Sequence, residues 1–157
     1  ISYNPCKILI IVGPGVDVLK DTLANIEARG EFTVSSVTAE FLDSMVDSSF
    51  AYANGESEAE ALGIALEQGT SVATPFVKGV AAAMECTLDR IIEVGDRDHH
   101  RLIIGTVTCF HVDPAVWQGD RIDPKAYRPL GRIGGPLYQE RGNIVVRPAP
   151  RERVSRD

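Results

Sequence analysis

Lys20, Asp21 and Thr22 are consecutive residues of the types that can hold an anion. They follow an apolar run, Ile8 to Val12, and a Gly13-Pro14-Gly15 turn, and they open a stretch with helical spacing. Leu19, Leu23 and Ile26 fall on one face of that helix, and Gly30 supplies its stop. Near a helix start, free backbone N–H groups and the positive end of the helix dipole favour negative charge. A phosphate there would take backbone bonds, the Thr22 hydroxyl and the charge of Lys20. The competing reading needs no ligand: Asp17 or Asp21 caps the helix and Lys20 is solvated.

Other chemical groupings are weaker. Gly13-Pro14-Gly15 lacks the third glycine of a dinucleotide fingerprint, because Val18 stands there and no βαβ series follows. Cys109 and His111, two apart on a strand, share a face. Two ligands do not make a metal site, nothing constrains Cys86 or the His99–His100 pair to join them, and no metal is expected. A Ser/His/Asp set has no Gly-x-Ser-x-Gly elbow to anchor it. His111, near a strand end, and Tyr138, after Gly134-Gly135, are each readable as core or as site.

The elements that must position these residues are mostly strands. Lys7–Val12 reads as one, and Glu31–Val37, alternating around Phe32 and Val34, as another. Thr38–Met45 reads as a short helix with Thr38 as N-cap and Phe41, Leu42 and Met45 as its apolar face. Asp47 to Gly69 is loose, with helical composition over Glu56–Leu66, a capping-box spacing at Ser57 and Glu60, and Ala61, Leu62 and Ala65 available to pack inward. From Ser71 the pattern turns to strand. Ala81–Val94 and Arg101–Val112, joined by a turn at Gly95–His100, predict a long antiparallel hairpin with Met84, Cys86 and Leu88 on one side. Asp113-Pro114 and Asp123-Pro124 each predict a short helix start. Gly134-Gly135-Pro136 breaks the chain, Asn143–Arg147 reads as a final strand, and 149–157 as a flexible tail. Long antiparallel strands with short helices at their ends predict a mainly β protein, a small β-barrel, in one domain spanning 1–148.

The chain has 157 residues, 44% hydrophobic and 24% charged, with a net charge of -6. That balance fits an ordinary globular domain and argues against a nucleic-acid partner. No apolar run is long enough for a membrane span. Three scattered cysteines, Cys6, Cys86 and Cys109, predict reduced thiols and a cytoplasmic setting, and no signal peptide is visible. The chain opens on Ile1 without methionine and enters a strand almost at once, so upstream residues are expected to be absent.

Three stretches together resemble the flavin reductase-like, FMN-binding split-barrel family. They are Lys20-Asp-Thr-Leu-Ala-Asn-Ile with Gly30-Glu-Phe-Thr-Val, then Ala83-Met-Glu-Cys-Thr-Leu with Leu102-Ile-Ile-Gly-Thr-Val and His111-Val-Asp, and finally Arg121-Ile-Asp-Pro with Arg128-Pro-Leu-Gly-Arg-Ile-Gly-Gly-Pro-Leu-Tyr138. The resemblance implies a homodimer with FMN near the subunit interface. It implies that Lys20, Asp21 and Thr22 hold the FMN phosphate and that Ser2 and Asn4 lie close to the flavin. A loop at Asp47, Ser48 and Ser49 would lie beside the cofactor, with His111 and Tyr138 near the site. In that family roughly fifty residues precede the equivalent of Ser2, judged by the size of such barrels. The implied activity is hydride transfer from NAD(P)H to flavin, with electrons passed to free flavin or a partner. The alternatives are an FMN electron carrier without efficient NAD(P)H oxidation, or a non-catalytic dimeric relative.

Overall fold

The computed structural model describes residues 1–13, 21–50, 52–53, 55–95, 100–140 and 142. Its frame is a five-stranded antiparallel sheet made from β1 (Ser2–Tyr3), β2 (Cys6–Val12), β3 (Glu31–Ser35), β6 (Ala82–Val94) and β7 (His100–Val112). Their spatial order is β1-β2-β7-β6-β3, so the long hairpin forms the middle and β1 and β3 the edges. Helix α1 (Asp21–Arg29) connects β2 to the far edge. The hairpin is as the alternation predicts, with Leu102 opposite Ile92 and Phe110 opposite Met84. Register shifts after Glu85 and after Leu88 let it bend.

Helix α1 covers one face. Its Leu23 and Ile26, each 3% exposed, meet Val12, Phe32, Cys86 and Ile103 in the main core, with Ile8, Ile10, Met84 and Leu88 packed around them. Burying each of those helix side chains contributes about 1.5–3 kcal/mol. The positive φ of Gly30, 69°, ends the helix, as that residue type predicts.

The second face has two halves. One is covered by the segment between β4 (Leu66–Glu67) and β5 (Phe76–Val77), which pair with each other. The other carries a cross-strand row of Ile11, Leu102 and Ile92, with Ile11 62% exposed.

Several local expectations are corrected. The Thr38–Met45 helix is a 3-10 turn, Ala39–Phe41, followed by α2 (Leu42–Asp47). Thr38 stands at the N-cap, but its hydroxyl bonds the Glu40 carboxylate at 3.1 Å instead of a backbone N–H. The helix over Glu56–Leu66 shrinks to α3 (Glu58–Ala61), because Gly63 turns the chain at φ 65°. Its cap at Ser57 forms as predicted, but Ala61 and Ala65 are exposed. Asp113 and Pro114 start a 3-10 turn, whereas Asp123 makes a turn by accepting from the Lys125 N–H at 2.8 Å. Gly134 and Gly135 form the tip of an unforeseen hairpin, β8 (Gly131–Gly134) with β9 (Leu137–Gln139). The predicted strand at Asn143–Arg147 and the tail lie outside the described residues.

Candidate functional site

The segment after β4 does not become the strand predicted from Ser71, because its backbone bonds a side chain instead of a ladder. That side chain is Glu85, between core residues Met84 and Cys86, turned to the opposite face and fully buried. Its Oε1 accepts from the Thr70 N–H at 2.9 Å and the Thr70 hydroxyl at 3.1 Å. Its Oε2 accepts from the N–H groups of Ser71 and Val72 at 2.6 and 2.8 Å and from the Ser71 hydroxyl at 2.7 Å. His111 Nε2 also meets Oε1, and Phe76 stacks on the imidazole with ring centroids 4.2 Å apart.

Burial alone would raise the carboxyl pKa. The Thr70 N–H, His111 and Ser71 bonds outweigh it and hold Glu85 well below the ordinary carboxylate range. An ionised carboxylate has no hydrogen to give, so Nε2 of His111 carries the proton. A second carboxylate works alongside: Glu31 accepts from the N–H and hydroxyl of Thr74 at 2.7 and 2.9 Å. The two acids hold the 70–74 segment across the sheet. Gly69 completes the fit, since a Cβ there would stand 2.8 Å from Glu85 Oε2.

Ligand atoms of Glu85, Cys109 and His111 lie within 4.8 Å of one another, close enough for a metal ion. The Glu85 oxygens already receive the bonds described above, so an ion would have to displace them. Sequence reasoning missed Glu85. The available signal was an acid set between Met84 and Cys86 in the apolar half of the strand.

Two cavities flank this clasp. One, of about 400 Å³, runs along α1, where Thr22, Asn25 and Arg29 share a ridge facing Thr74 and Pro75. The other, of about 200 Å³, lies beneath α2 and is reached by Ser48. Thr22 is therefore at the first cavity, with Asp21 the first residue of α1, and Lys20 outside the described residues. Ser48 and Ser49 turn their hydroxyls onto the carbonyls of Met45 and Val46 at 2.9 and 2.6 Å. Ser2 pairs with Lys7 on edge strand β1, Asn4 is exposed in the turn that follows, and Tyr138 lies opposite Arg132 in the β8–β9 hairpin. The strand order puts β1 and β3 four strand spacings apart, about 19 Å. Thr22 and Ser48 line different cavities, and Ser2 and Asn4 line neither.

The thiols divide the same way. Cys86 is fully buried, and burial first, then the charges of Cys6 and Glu85, push its thiol up to about 11. Cys6 and Cys109 are partly exposed. A thiol-specific reagent at neutral pH is expected to label those two in the native protein and Cys86 only on unfolding. Mass mapping of early adducts checks this, and early labelling at Cys86 would contradict the packing.

This fold has counterparts among known proteins. Residues 1–127 match the flavin reductase like domain, and the chain belongs to that family. An uncharacterized protein of Deinococcus radiodurans is 36% identical over 119 residues, which are 74% of this chain and 51% of that protein. The chain thus spans about half the length of that relative. Nitrilotriacetate monooxygenase component B from Bacillus cereus superposes with a TM-score of 0.87 at 28% identity, covering 92% of this chain and 73% of that one. A split barrel domain from Shewanella frigidimarina NCIMB 400 gives a TM-score of 0.80 at 22% identity, covering 96% and 74%, which establishes the fold. Among the described residues no helix is long and apolar enough to cross a membrane.

Proposed function

We propose that this chain is the main part of an FMN-dependent flavin reductase that takes hydride from NAD(P)H and works as a homodimer. The observation that carries the reading is the cavity along α1, in a chain of the flavin reductase like family. Its α1 ridge offers a hydroxyl at Thr22 in the first turn, an amide at Asn25 and, in the last turn, a guanidinium at Arg29, and the carboxylates of Glu31 and Glu58 line the same cavity. The Thr22 end, beside the free N–H groups of the helix start, is the part that suits the phosphate of FMN. Lys20, next to Asp21 in sequence, would add charge. When bound, FMN supplies the hydride-accepting chemistry. The chain's own residues hold the phosphate, orient the ring and exclude water, and no acid–base side chain is required.

One feature supports the homodimer. The row of Ile11, Leu102 and Ile92 leaves an apolar face uncovered in one chain.

The test is FMN titration of the full-length protein, followed by gel filtration and NAD(P)H oxidation. Flavin retained on a dimer, with turnover, is the expected result. Thr22→Ala is expected to weaken FMN about fivefold, the value of one neutral hydrogen bond. Retained flavin without NADH or NADPH oxidation would assign an electron carrier instead. No flavin uptake by the full-length protein would overturn the reading.

A further inference from the structure

The cavity beneath α2 has a chemistry of its own. Its walls include Val37, Phe41, Met45, Ile64, Val77 and Val80, and among the described residues no charged side chain lines it. Serine hydroxyls edge it, and three are committed to the fold. Ser35 accepts from the Val77 N–H at 3.1 Å, Ser36 from the Ala82 N–H at 3.1 Å, and Ser48 donates to the Met45 carbonyl at 2.9 Å. Ser44, which also lines the cavity, has a hydroxyl with no hydrogen bond among the described residues.

Volume and charge restrict the occupant. An apolar cavity of about 150 Å³ stays dry and takes benzene, so about 200 Å³ admits one ring with a small substituent. A three-ring flavin needs the larger volume usual for drug-sized ligands. A charged ring would lose its hydration with no counter-charge to replace it. Phe41 and Met45 offer aromatic and thioether contacts to a ring, and Ser44 offers one hydrogen bond.

We propose that the cavity under α2 is a binding site for a neutral, single-ring aromatic molecule of the phenol type, its polar substituent on Ser44. The site does not depend on flavin, and it adds a ligand class to the reading above.

The chain has two methionines, Met45 in this cavity and Met84 in the main core. Methyl-labelled methionine therefore gives one signal inside the site and one internal control. Titrating phenol into the full chain without flavin is expected to shift the Met45 methyl saturably and leave Met84 unmoved. Benzoate is expected to bind at least about tenfold more weakly, because its charge is buried unpaired. Ser44→Ala is expected to weaken phenol about fivefold while leaving toluene unchanged. Val77→Phe, which fills the cavity, is expected to abolish both.

The proposal is overturned if phenol up to its solubility limit leaves Met45 unshifted, or if benzoate binds as tightly. It is also overturned if FMN, titrated separately, displaces phenol one for one, because the cavity would then be part of the flavin site. A protein that takes up no FMN but still binds phenol would refute the reductase reading and leave this site standing.

Discussion

Glu85→Ala is expected to destabilise the protein by about 3–5 kcal/mol, the usual result of removing one partner from a buried ionic network. For a chain of this size that lowers the thermal midpoint by roughly 10 °C. The cost does not come from lost attraction alone. The Thr70, Ser71 and Val72 N–H groups all point at this carboxylate, and without it they face a hole lined by His111 and Phe76. Glu85→Gln keeps the shape but puts an amide N–H₂ against donors, so it recovers only part of the loss. Denaturant unfolding with matched slopes reads both variants. A midpoint within experimental error of the parent for Glu85→Ala would mean that the clasp contributes nothing.

The same residue fixes a pH dependence. Its folded-state pKa lies below the ordinary value of 4.5, so its contribution is fully present above that value. As pH falls below 4.5 the unfolded chain takes up the proton first, and stability declines until the depressed folded pKa is passed. Glu85→Gln is expected to flatten this part of the acid-unfolding curve. An unchanged acid slope in that variant would show that other carboxylates dominate it.

Alternation made the central hairpin legible, since few other arrangements of Ala81–Val94 and Arg101–Val112 bury Cys86 and Ile103 together. The helix start at Asp21 was legible because Gly30 and the spacing of Leu23 and Ile26 fix the period. The clasp was not. Glu85 occupies a slot where period two puts a solvent-facing residue, and its partners in the 70–72 segment lie 13 to 15 positions earlier. Thr70, Ser71 and Val72 carry β-type composition, so local propensity pointed to a strand that a distant acid overrides. The site was legible only in pieces. Thr22 and Ser48 each line a cavity, but that they line two different ones is a tertiary fact no local pattern encodes.

Gly105→Ala is expected to cost about 1–3 kcal/mol through overpacking, although Gly105 has no unusual turn to make. It sits mid-strand in β7, and Phe32 lies across it. An added Cβ would stand 2.5 Å from Phe32 Cζ, 2.8 Å from Cε1 and 3.2 Å from the Cys86 Cβ. Phe32, 5% exposed and in the main core, cannot swing into solvent without taking the centre of the cluster with it. Phe32→Leu alone should also destabilise, by leaving a cavity where the ring was. In the double variant the shorter side chain makes room for the new methyl. The two losses are then expected to sum to more than the double variant shows, a coupling of about 0.5–3 kcal/mol. Strict additivity would mean that the clash is relieved elsewhere. Because Phe32 also lines the cavity along α1, the ring displaced in Gly105→Ala moves a wall of the proposed FMN site. FMN affinity should therefore fall in Gly105→Ala at temperatures where the variant is fully folded, and return in part when Phe32→Leu is added. Unaltered affinity in a folded Gly105→Ala would uncouple the core from that cavity and remove α1's inner wall from the binding argument.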